Sequence, residues 1–169
     1  MVELLAVVTM IGILAALAVA GYRNYLNRAR TSDAKAIIAA IRIAQENYHA
    51  ETLSYLNCSS DLGDYYPAEP NGRKRHWKND SNADYSLWMT LNVTVDSPTS
   101  YGFAVVAGQP GENPPQPDIG NGNAIPWPDP TTEPWYVVQA AGDADNDGTF
   151  AIVAGSSFSG ELVIFEETE

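Results

Sequence analysis

Acidic residues alternate in the stretch "DADNDG": Asp143, Asp145 and Asp147 stand two apart, with Gly148 and Thr149 directly behind them. These types at this spacing match the first half of a calcium-binding loop. Carboxylates at alternate positions converge on a hard cation, glycine permits the sharp turn, and the carbonyl of Thr149 adds an oxygen. The twelfth position of such a loop is Ala154 here, not the bidentate glutamate it needs, and the residues that follow read as a strand instead of an exit helix. A calcium site would therefore draw on another ligand, with Asp118, Asp129 and Glu161 as candidates. The competing reading is a β-hairpin turn, which Asn-Asp-Gly suits. Calcium is the only cofactor that the sequence suggests.

Catalytic chemistry has little support. His49 and His76 are the only histidines, and neither belongs to a Cys/His or Ser/His arrangement. There is no Gly-rich phosphate loop, no H-E-x-x-H and no C-x-x-C, so the chain is not expected to be an enzyme. Cys58 is the only cysteine, which rules out an intrachain disulfide. Asn57-Cys-Ser and Asn92-Val-Thr are glycosylation sequons of a kind common by chance. Tyr22, Tyr25 and Tyr48 read as packing residues rather than as a conduction path.

One more carboxylate stands out. Glu3 directly precedes residues 4–20, "LLAVVTMIGILAALAVA", which carry no charge. A charge held at the centre of a bilayer costs about 2.5–3.5 kcal/mol on insertion scales. Three readings fit the uncharged run: a membrane-spanning helix, a secretory signal peptide cut after Ala20, or a long buried helix. The acidic start argues against the signal peptide. The run is apolar on every face, so it needs apolar partners all round, from lipid or from copies of itself.

The basic residues Arg23, Arg28 and Arg30 follow at once, as at the cytoplasmic flank of a span or at a headgroup-level anchor. Beyond them the pattern becomes amphipathic. Ala34, Ile37, Ile38, Ile41, Ala44 and Tyr48 form one stripe at helical spacing, with Arg42, Glu46 and Glu51 off it. No proline occurs from Met1 to Tyr66. One helix of about fifty residues, on the order of 75–80 Å long, is the simplest outcome.

The segment "MVELLAVVTMIGILAALAVAGYRNYLNRAR" resembles the N-terminal segment of type IV pilins, which is shared by type II secretion pseudopilins. The features in common are a glutamate opening a long apolar helix, the "IGILAALAVA" core, the aromatic "YRNY" and the basic residues after it. The resemblance covers roughly the first thirty residues and implies α+β architecture. In this pilin fold, one long N-terminal helix carries an antiparallel β-sheet head on its C-terminal half. Residues 1–28 would be the membrane anchor and filament core, and residues 29–169 the head with the amphipathic half of the helix. It also implies that Glu3 neutralises the N-terminal amine of a neighbouring subunit during assembly. A buried carboxylate is tolerable beside an opposite charge, and an adjacent helix start offers one at the same depth.

Two departures from the family accompany this. Glu3 is third in the chain, earlier than in mature pilins, so either two residues are missing or processing differs. The basic-Gly leader cut by prepilin peptidase is also absent, as in a mature or trimmed chain. Ala20 and Gly21 stand where pilins often carry a helix-breaking proline. A bent or locally unwound stretch is still expected between Gly12 and Gly21, because glycine weakens a helix by about 1 kcal/mol.

The helix should end near residues 53–56. Residues 57–84 read as a long connection containing the basic tract "RKRH", residues 73–76, taken as a solvated loop or an inter-subunit salt-bridge site. Strands are expected over residues 101–108, 134–142, 149–155 and 160–167, the last three as an antiparallel meander. Residues 87–96 fit either a short helix or another strand. Residues 109–133 form a Pro/Gly-rich loop. The sheet should bury Ile37, Ile41 and Tyr48 against Phe103, Val105, Val137 and Ile152. The region "WYVVQAAGDADNDGTFAIVAG" also resembles the corresponding part of some proteobacterial pilins.

The charge is uneven. All Lys and Arg lie within residues 23–78, whereas residues 79–169 hold fourteen acidic residues and no basic one, so the net charge of −12 originates there. That half should repel nucleic acid, and no direct binding of it is expected. The resemblance implies a subunit that polymerises into an extracellular type IV pilus. Before assembly it would be anchored in the inner membrane and handled by prepilin peptidase and the pilus assembly machinery. The alternatives are a type II secretion pseudopilin, or a membrane-anchored calcium-binding or adhesion domain that never polymerises.

Overall fold

The structure, a computed structural model, describes residues 2–117, 119, 124–143, 146 and 148–165, leaving aside the side chains of residues 20, 23, 24 and 27. Helix α1 is 51 residues long, Val2–Thr52. Its interior lacks proline, and its second half carries the periodic stripe that tertiary packing rewards. The expected unwinding is not there: the helix runs unbroken through Gly12 and Gly21. Two isolated glycines cost about 1 kcal/mol each, too little to break a helix of this length without a proline. The helix stops where Leu53 turns left-handed, at φ 59°, with its N–H donating to the His49 carbonyl at 2.8 Å.

The undecided segment is helical: α2 spans Tyr85–Leu91 and ends on Asn92 in a left-handed conformation. Its buried Trp88 and Leu91 face the core. Four strands follow: β1 Tyr101–Gly108, β2 Trp135–Gly142, β3 Ala151–Ser156 and β4 Val163–Phe165. They form one antiparallel sheet in the order β1-β2-β3-β4, with Val105 opposite Val138 and Ala140 opposite Val153. The chain is therefore α+β, a long N-terminal helix with an antiparallel sheet packed on its second half. Strand β4 begins three residues later than expected. The Ser159 and Gly160 carbonyls before it are held by the Arg42 guanidinium, at 2.9 and 3.0 Å, instead of entering the ladder.

Alternation along the strands divides the sheet's two faces. Phe103, Val105, Tyr136, Val138, Ala140 and Val153 pack with Ile37, Ile38 and Ile41 of the helix in one core. Tyr48 packs against its edge. Val137 and Ile152, expected in this core, lie on the opposite face. Val137 packs with Leu62 and Trp135, and Ile152 with Tyr65, Ala104 and Ala141. Their strand neighbours Val138 and Val153 take the helix side, and a one-residue offset reverses the face. Strand β2 is buried at every position because loops cover the outer face too.

Those loops are held by side chains acting as backbone substitutes. Gln116 accepts the Ile125 N–H and donates to the Ile125 carbonyl. Thr131 donates to the Glu112 carbonyl and accepts the Gly111 N–H. The described part of the Pro/Gly-rich segment is thus irregular, as composition implies, with side chains supplying some of its backbone partners.

Candidate functional site

The stem is the first candidate. No residue of Val2–Val19 is buried, and the large apolar side chains are exposed on every side, Leu4 at 71 % and Val7 at 55 %. The only polar side chain within residues 4–20 is Thr9, whose hydroxyl donates to the Leu5 carbonyl at 2.8 Å. A hydroxyl satisfied within its own helix carries little penalty in an apolar medium. Glu3 occupies the first turn of α1, where the helix dipole favours a carboxylate. Eleven Val, Leu, Ile and Met side chains from Val2 to Val19 stand exposed. These side chains are 55–80 % exposed; at about 1.5–3 kcal/mol for each complete burial, covering what is exposed is worth on the order of 10–20 kcal/mol. That rivals the whole stability of a domain.

Three polar ties fix the head on the stem. The Thr31 and Tyr101 hydroxyls meet at 3.1 Å in a buried contact. Arg42 holds the turn before β4, as described above. Gln45, fully buried on the apolar stripe, donates to the Leu56 carbonyl at 2.7 Å and accepts the Leu56 N–H at 2.9 Å. Sequence reasoning missed the roles of Arg42 and Gln45. The signal for Gln45 was its place four residues after Ile41 in an otherwise apolar row. Beside this junction Tyr55 stacks on His49 at 4.5 Å and donates to Glu46. Burial and then the Glu46 charge push the Tyr55 hydroxyl up to about 12. Cys58 is buried, and that burial raises its thiol to about 12.

The acidic turn is the second candidate. It joins β2 to β3, so the antiparallel hairpin is present, although its connection is longer than a tight turn. Asp143 is buried, at 4 % exposure. One carboxylate oxygen accepts the Asn146 N–H at 2.5 Å and the other the Gly148 N–H at 3.1 Å. Asn146 and Gly148 both have positive φ, 63° and 89°, and Asp143 braces that left-handed path. Asp145, Asp147 and Asp118 lie outside the described residues. Asp129, Glu161 and Thr149 are exposed. Among the described residues no group of three or more His, Cys, Asp and Glu side chains is placed to hold a metal.

Compared with family models, with curated proteins and with solved structures, the chain matches none. The architecture itself, an apolar N-terminal helix joined to an antiparallel sheet, is compatible with a pilin-like fold. Trp77 roots the basic tract in the core, meeting Trp88 edge-on at 5.4 Å and Phe103 at 5.6 Å. Arg73, Lys74, Arg75 and His76 before it are all exposed. His49 lies at a packing edge, and Asn57 accepts the Ala107 N–H at 3.0 Å.

Proposed function

We propose that this chain is a type IV pilin-like structural subunit that polymerises through its apolar stem into an extracellular filament. The observation that carries the reading is the stem itself: an apolar helix exposed on all faces, continuous with the helix on which the head is built. Lipid covers such a surface before assembly and other stems cover it afterwards, two surroundings of similar polarity. In the filament Glu3 pairs with the amine at the start of a neighbouring stem, and apolar burial along the stem then fixes the subunit. The acidic head faces outward.

Cryo-EM of material sheared from expressing cells tests this. Thin helical filaments with this sequence traceable in the density, and a positive group beside Glu3, are the expected result. A chain that stays in the membrane fraction and gives no filaments refutes the reading in favour of an anchored domain.

A further inference from the structure

All nine Lys and Arg residues fall within residues 23–78, and the fold gathers most of them at one level. Lys74 lies across a cleft from Arg30, beside Asp33, Ile37 and Ser97. Arg75 is tied to β1's approach by paired backbone bonds with Thr99, at 2.7 and 2.9 Å. Arg28, Arg73, Lys74 and Arg75 are exposed and Arg30 is half-buried. Among the described residues none of the five has an ion-pair partner, although Asp33 and Asp96 stand in the same quarter.

We infer that this foot of the head is a docking surface for anionic phospholipid headgroups, met when the stem is inserted in a bilayer. The inference rests on the membrane-anchored stage of the proposed function. Val2–Val19 spans about 27 Å as helix, close to a hydrocarbon core of about 30 Å. Exposed Tyr22 and Tyr25 then lie at the interface, where such rings concentrate. Arg28 and Arg30 follow about 14 and 17 Å beyond Val19. The headgroup layer occupies about 5–8 Å of that distance. The remaining gap is close to the Debye length of about 8–10 Å, and stem tilt narrows it further. Each basic residue near an anionic surface adds attraction, while residues 79–169, rich in acid, are repelled by it. The head is therefore oriented, basic foot down, on whichever leaflet it faces.

The test uses the full chain in lipid nanodiscs with Ser97→Cys spin-labelled at the foot; buried Cys58 stays unlabelled. The discs contain a trace of gadolinium-chelate headgroup lipid and either zwitterionic phospholipid alone or about one third phosphatidylglycerol. Relaxation of the label by the chelate should be roughly fivefold stronger in anionic discs and fall with salt. The triple variant Arg73→Glu, Lys74→Glu, Arg75→Glu should abolish the difference. Equal relaxation in both lipids, with the chain retained in the discs, overturns the docking surface alone. Failure to enter either disc overturns the anchored reading and this inference together. Loss of the effect to inorganic phosphate at matched ionic strength, or an effect confined to discs holding several copies, assigns the foot to free phosphate or to a second acidic head and overturns lipid docking.

Discussion

Gln45→Leu removes the amide that joins the stem to the start of the head while keeping its volume. The two bonds to Leu56, at 2.7 and 2.9 Å, are both lost. At about 0.5–1.5 kcal/mol net for each bond, the cost is about 1–3 kcal/mol, toward the upper end because the Leu56 N–H is left half-buried without a partner and its carbonyl keeps only the weak Cys58 thiol donor at 3.8 Å. For a domain of this size that lowers the melting temperature by about 2–12 °C. Thermal unfolding of the full chain in detergent, followed by near-UV circular dichroism of the tryptophan cluster, reads the change. Gln45→Glu sharpens the test. Its carboxylate still accepts the Leu56 N–H but sets a charge against the Leu56 carbonyl. The variant should be destabilised at neutral pH and recover as acid protonates it. A Gln45→Leu protein within about 0.5 kcal/mol of wild type, the range of ordinary surface changes, would refute the reasoning.

Alkali should unfold the head early. Cys58 and Tyr55 rise from ordinary values of 9.0 and 10.0 to about 12, because the fold favours their neutral forms. Their contribution is complete below pH 9 and is lost as pH climbs toward 12. Urea midpoints across that window should fall, and Cys58→Ala should delay the onset by about one pH unit. Gly142→Ala should destabilise by about 1–3 kcal/mol, because the new Cβ would sit 2.6 Å from the Tyr101 ring. Denaturant titration checks it, and an unchanged midpoint would show that the ring yields freely. Glu3→Ala should leave head folding and membrane insertion intact but reduce filament formation. Normal filaments from that variant, counted by electron microscopy, would sink the charge-docking role. Asp143→Ala should loosen the β2–β3 connection and speed amide exchange at Asn146 and Gly148, with or without calcium. Exchange that accelerates only in a chelator would point to a metal instead of a turn brace.

Much of the fold was legible because its elements have clean periods. The 3.6-residue stripe from Ala34 to Tyr48 located the packed half of α1, and the apolar β-branched run of β1 gave that strand its bounds. What escaped was information that a period does not carry. Strand β2 is apolar at nearly every position, so alternation says nothing about which of Val137 and Val138 meets the helix. The segment around Trp88 satisfies a helix and a strand equally, and the core decided. Gln45 and Gln116 replace backbone bonds with side-chain amides, a pairing set by where the chain returns. Of the candidate sites, Glu3 was legible from its place before an uncharged run, but the amine proposed as its counter-charge belongs to another molecule. The calcium reading extends to Asp145 and Asp147, beyond the described residues. The hairpin that the same residues suggested is visible in the bracing by Asp143.

Because α1 is one uninterrupted rod, the stem and the head share a single lever. Its 51 residues reach about 75 Å. Membrane helices tilt over a range of roughly 0–40°, and a change of about 20° at one end swings the other by about 25 Å. In the proposed filament a small reorientation among the stems is thereby magnified into a large sweep of the heads, with no break in α1 to absorb it.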